Sequence, residues 1–193
     1  MVLAYHLILT GYGHWLPNDP RGSMSTAVAS PELAKLAELH WGRKFPQPSL
    51  RELRAFYRQA VPLLKHPVLW FDQRERDVLV QTTGELFSNL RLTCYAGAIL
   101  HNHAHFLIRK HKLKGEDMAQ ALKKGLGDAL KQANLAPPDH PVFSEDLCVL
   151  YKSDKPAMHN CIAYINANFR KHNLPSVIYD FVRPYDNWPP GAP

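Results

Sequence analysis

The chain has 193 residues, 46% hydrophobic and 21% charged, which is ordinary globular usage for one compact domain or at most two small ones and excludes a disordered chain or a coiled coil. With 23 Lys and Arg against 17 Asp and Glu the formal charge is +6, and eleven His add to it below neutrality. This balance favours a polyanionic partner without requiring one. Cys94, Cys148 and Cys161 lie far apart with no CxxC pair, so neither a disulfide framework nor a cysteine zinc site is supported, and a reducing, cytoplasmic compartment fits. The apolar run Val2 to Leu9 has no basic region before it and contains Tyr5 and His6, which argues against a secretion signal or a membrane span. A soluble, intracellular protein is expected, nucleoid-associated if bacterial.

Leu3, Tyr5, Leu7 and Leu9 alternate with Ala4, His6 and Ile8, a period of two that predicts a first strand ending at Thr10-Gly11-Tyr12-Gly13. Trp15 to Gly22 (WLPNDPRG) is turn chemistry and predicts an ordered loop. Three helix starts follow: Ser30 before Pro31, Ser49 with Glu52 three residues on, and Asp72 with Glu75 three residues on. Leu79, Thr83, Leu86 and Leu90 form a core-facing stripe on the third helix, flanked by Thr82 and Phe87. Leu92 to Lys110 then reads as two antiparallel strands with a turn near His101-Asn102, a hairpin expected at the centre of the sheet.

Glu116 to Ala133 predicts a helix with Ala119, Leu122, Leu126, Leu130 and Ala133 inward and Lys123, Lys124, Asp128 and Lys131 outward. Leu147 to Tyr151 is a fourth strand, and Asp154 caps a last helix that stops before Leu174-Pro175. The tail to Pro193 is expected to pack along the surface. This order predicts one α+β domain over residues 1–193 with a mainly antiparallel sheet and a helical insertion at about 27–70.

On a strand, His103 and His105 point to one face while Ala104, Phe106 and Ile108 point to the other, so two imidazoles can converge on one ion while the apolar residues anchor the strand. On the last helix, Met158, Ile162, Ile165 and Phe169 make an apolar row. Ala157, Cys161, Tyr164 and Asn168 make the row beside it, which would bring a tyrosine hydroxyl and an amide oxygen to the edge of the buried contact. Taken alone, the histidines also fit a surface pair, and Tyr164 an ordinary packing residue.

Four pieces in order resemble the single-tyrosine HUH transposases, in particular their REP-associated branch. They are the opening strand running into YGHWLPNDPRG (Tyr12 to Gly22), LHNHAHFLI (Leu100 to Ile108), YINANFRKHNLP (Tyr164 to Pro175), and the spacing between them. The resemblance implies a ferredoxin-like α+β fold with helices on one face of the sheet and a metal and tyrosine site on it. It also implies His103 and His105 as metal ligands, Asn168 as the third, polar ligand, and Tyr164 as nucleophile. The metal would be Mg²⁺ or Mn²⁺, and the partner single-stranded or hairpin DNA, cut through a covalent 5′-phosphotyrosine by a monomer or homodimer. His101 stands where the family usually has Pro, and Ala104 where Val is common.

DNA contacts are expected from Arg109, Lys110, Lys112 and Lys114, directly after the histidine strand, with Arg21, Lys123 and Lys124 as further candidates. Two other readings stay open. His101-x-His103-x-His105 also resembles the histidine-triad nucleotide hydrolases, which need no metal, although Asn102 occupies a position where that family has a hydrophobe. The chain could also bind hairpin DNA without cutting it.

Overall fold

The computed structural model describes residues 1–188. The chain divides into two compact units: one comprises Met1–Leu9, Trp70–Asp139 and the chain from Leu147 on, the other Thr10–Leu69 and His140–Asp146.

The first unit is built on a four-stranded antiparallel sheet of order β2-β3-β1-β4, with β1 at Ala4–Thr10, β2 at Cys94–Ile99, β3 at His103–Arg109 and β4 at Cys148–Lys152. Helix α3 (Gln73–Asn89) connects β1 to β2, and α4 (Gly115–Gln132) connects β3 to β4. Two such interleaved β-α-β units make a ferredoxin-like α+β fold. The expected hairpin forms, with Ala98 opposite His105 and Gly97 opposite Phe106. Of these two strands only β3 is internal, however; β2 is an edge strand. Its edge is covered by the C-terminal segment, where Val182 bridges Cys94, the Arg183 amide donates to the Cys94 carbonyl at 2.8 Å and the Tyr179 hydroxyl meets the Ile99 amide. The expected surface packing of the tail therefore holds as far as it is described; residues 189–193 lie outside the described residues.

Strand alternation sorts the two faces. Phe106 meets Phe87 of α3 with ring centroids 5.4 Å apart, and Gly115 at the start of α4 lies against Tyr5 and Val149. The crossover helices thus share one face. The opposite face carries α5 (Lys155–Lys171), whose Met158, Cys161, Ile165 and Phe169 form a core with Leu3, Tyr95, Ala98 and Leu107. Helices therefore cover both faces rather than one, because α5 is an addition after the second β-α-β unit.

The predicted caps are present. Asp72 accepts from the Arg74 and Glu75 amides while Glu75 returns to the Asp72 amide, and Asp154 accepts from Ala157. Leu79, Thr83 and Phe87 are the buried residues of α3, with Leu86 half-buried beside them. On α4 the inward row is Met118, Ala119, Leu122, Leu126 and Leu130. Ala133, expected inward, is exposed because the helix ends at Gln132 and Ala133 is its C-cap.

The second unit contains α1 (Pro31–Ala34), α2 (Leu50–Ala60) and a short 3₁₀ turn at Val61–Leu63 around a small core of Leu16, Leu33, Phe56 and Ala60. Ser30 caps a single turn only, whereas Ser49 and Glu52 make a full capping box. The predicted loop from Trp15 to Gly22 is held from within. Asn18 donates to the Leu33 and Ala37 carbonyls, and buried Asp19 accepts from the Arg21 guanidinium at 2.6 and 2.8 Å and from the Tyr57 hydroxyl. The unit is larger than the expected insertion, since it begins at Thr10 and includes His140–Asp146, where Phe143 bridges Gly11 and Ser25 donates to Asp146.

Candidate active site

Period-two alternation on β3 sends His103 and His105 to the face covered by α5. Their Nε2 atoms lie 3.0 Å apart with the rings nearly perpendicular, His103 half-buried and His105 2% exposed. His6, on the neighbouring strand β1 and 3% exposed, brings its Nε2 to 3.0 Å from His105 Nδ1. At the other end of the chain of rings, His103 Nδ1 lies 2.7 Å from Asn102 Oδ1. An amide oxygen only accepts, so His103 carries its proton on Nδ1 and accepts on Nε2. His105 then donates from Nε2 and accepts on Nδ1 from His6 Nε2, a consistent set of neutral tautomers.

Burial favours the neutral form of His6 and His105. It pushes His6 down to about 4, helped by the nearby Lys152 ammonium. Burial, then the neighbouring His103, His6, His172 and Lys171 charges, pushes His105 well below the usual imidazole range. His172 is lowered by burial and by His101 and Lys171. Neutral imidazoles keep a lone pair for a ligand, which is the state metal binding requires.

One row of α5 lies along the pair. The Tyr164 ring packs edge-on against His105 at 5.6 Å and His6 at 6.0 Å, and two turns further His172 packs against His103 at 5.1 Å. Asn168 is midway on that row, one turn from each end, and is 4% exposed. Its Nδ2 donates to the Tyr164 carbonyl at 2.8 Å, which leaves Oδ1 as the amide atom able to ligate. Tyr164 itself is 45% exposed, and Lys171 Nζ stands 4.7 Å from its ring centroid. The structure therefore brings Tyr164 against His105, with His103 beside it, and places Asn168 one helical turn from Tyr164 on the same row.

Two nitrogens 3.0 Å apart subtend about 90° at an ion held at ordinary metal–nitrogen distances of about 2.1 Å. The pair thus fits adjacent positions of one divalent ion. Among the described residues no three His, Cys, Asp or Glu are grouped for a metal. His6 does not complete such a group, because its Nε2 faces the far nitrogen of His105.

The remaining candidates lie elsewhere. His101 sits in the turn before β3, and its Nδ1 meets Arg76 Nη1 at 2.9 Å. Arg109 is engaged by Trp188, 4.2 Å from its ring centroid, and by Asp186 at 3.6 Å. Lys110, Lys112 and Lys114 are exposed but follow the far end of β3, seven or more residues and so about 23 Å or more of strand from His103. Lys123 is half-buried, and Lys124 is exposed and paired with Asp128; both are on α4, over the opposite face. Arg21 belongs to the second unit, bound to Asp19 and stacked 3.6 Å over Trp15. Sequence reading did not single out His6, Lys152, Lys171 or His172. The period-two pattern of β1 and the seven- and eight-residue steps from Tyr164 were the signals available.

The chain matches no family model and no curated protein. Among the described residues no helix is long and apolar enough to cross a membrane.

Proposed function

We propose that the chain is a metal-dependent tyrosine transesterase acting on single-stranded or hairpin DNA, of the type of the HUH transposases it resembles. One observation carries the reading: a half-exposed tyrosine is packed edge-on against one of two imidazoles whose Nε2 atoms are 3.0 Å apart, one helical turn from a buried amide. The basic balance of the chain and Lys171 beside the ring add a positive setting for a phosphodiester.

When bound, a divalent ion on His103, His105 and Asn168 would withdraw charge from the phosphodiester oxygens. Tyr164 supplies the nucleophile: its hydroxyl gives up a proton and its Oη bonds to phosphorus. The bond from phosphorus to the 3′ oxygen breaks, and that oxygen leaves with the electron pair and takes up a proton. The product is a 5′-phosphotyrosine and a free 3′ hydroxyl, with the phosphodiester energy retained for rejoining. His6 and His105 hold the phenol ring edge-on, and the Lys171 ammonium, 4.7 Å from the ring centroid, meets the substrate charge.

His101 favours this reading over the histidine-triad alternative, because it lies outside β3 and is taken up by Arg76. The deciding experiment is incubation with single-stranded hairpin DNA and Mn²⁺, with mass spectrometry of the protein. A DNA adduct on Tyr164 that EDTA prevents is the expected result. Binding with no adduct would leave a non-cleaving DNA-binding protein, and cleavage that resists EDTA and needs His101 would replace the proposal with the triad mechanism.

A further inference from the structure

We infer that His6 is a positioning residue that holds His105 in the protonation pattern a metal ligand needs, an inference resting on the metal site proposed above. The 3.0 Å between His6 Nε2 and His105 Nδ1 has room for one proton. In the tautomers given by Asn102, that proton sits on His6 Nε2, and His105 uses its own proton to reach His103 Nε2. An ion on both Nε2 atoms needs both lone pairs. His105 must therefore carry its proton on Nδ1, and His6 must accept it on Nε2 and carry its own proton on Nδ1. Each ring exchanges one tautomer for the other, so no net proton is gained or lost.

The partner at this position has to donate in the metal-free protein and accept in the loaded one. Imidazole does this by changing tautomer, and a carboxamide does it by turning over; an apolar ring or an ammonium cannot. The same His6 ring packs against Tyr164, at 6.0 Å, so ligand and nucleophile share one support. At such sites loss of the partner that orients a ligating histidine weakens metal binding roughly 10–100-fold.

The test measures Mn²⁺ binding, by calorimetry and by the electron paramagnetic resonance signal of the free ion, in the wild type and in His6→Phe, His6→Gln and His103→Ala. His6→Phe should weaken binding roughly 10–100-fold, and His6→Gln should recover most of the loss, which a purely structural role for the ring would not produce. Wild-type affinity in His6→Phe, together with loss of binding in His103→Ala, would overturn the role of His6 and leave the metal site standing. Equal or absent binding in wild type and His103→Ala would overturn both. A second measurement needs no variant: long-range ¹H–¹⁵N spectra of the wild type with Zn²⁺ as a diamagnetic probe should show the His6 proton move from Nε2 to Nδ1. A His6 that keeps its Nε2 proton on zinc binding would also overturn the inference.

Discussion

Tyr164 is the residue whose chemistry and packing separate most cleanly. Its ring packs against His6 and His105, while the residue is 45% exposed. Tyr164→Phe keeps the ring and removes the oxygen, so stability should change by no more than about 0.5 kcal/mol while adduct formation disappears. Thermal melting and mass spectrometry check the two halves, and an adduct in the Phe variant would overturn the nucleophile assignment. His6 contributes to the acid dependence, together with His14, His105 and His172, which burial lowers in the same direction. The folded value of His6, about 4, lies below the unfolded value of 6.5, so between the two the unfolded chain binds more protons and stability rises with pH. The contribution is complete above about pH 6.5 and is lost as pH falls toward 4, in total on the order of 3 kcal/mol. Urea melts of the metal-free protein at pH 7, 5.5 and 4.5 should show this fall, and His6→Phe should reduce it by the His6 share, leaving that of the other buried imidazoles.

At the scale of elements, the site depends on β3 and α5 lying against one another at one register. Sequence showed both periods: alternation put His103 and His105 on one face, and helical spacing put Tyr164 and Asn168 on one row. What it left open was depth. Asn168 and Cys161 are buried whereas Tyr164 is half-exposed, since at 100° per residue Tyr164 lies about 40–60° further round the helix from the buried face than they do. On the other face α4 begins in close contact with the sheet, where a Cβ on Gly115 would stand 2.6 Å from Val149 Cγ1 and 3.0 Å from Tyr5 Cδ1. Gly115→Ala should therefore cost about 1–3 kcal/mol in a denaturant melt. Its effect on adduct formation should be much smaller than that of Tyr164→Phe, because the clash lies across the sheet from the histidines.

At the scale of the whole molecule, Lys171 and the expected DNA contacts Lys112 and Lys114 stand apart. Lys171 adjoins Tyr164, whereas Lys112 and Lys114 lie beyond the far end of β3. On the proposed function, a DNA strand that reached both would run the length of β3. Removing the Lys112 and Lys114 charges together should flatten the salt dependence of single-strand binding by about 1.4 units of log–log slope, while leaving the cleavage rate at saturating DNA unchanged. Lys171→Gln should lower that saturated rate. An unchanged slope in the double variant would place the DNA path away from the end of β3.

By itself the sequence determined the elements and their local chemistry: the capped helices, the strand that alternates two imidazoles with core residues, and the row that joins Tyr164 to Asn168. These are properties of neighbours along the chain, governed by backbone period and by caps within three or four residues. The tertiary structure alone decided which distant groups share space. His6 meets His105 across 99 positions because β1 is inserted beside β3 in the sheet. His172 closes the other end of the row over His103, and Lys110 to Lys114, near in sequence to the histidines, are carried away because an extended strand separates its ends by about 3.3 Å per residue. Proximity across a sheet follows strand order, and strand order is set by how the whole set of apolar faces can be buried at once.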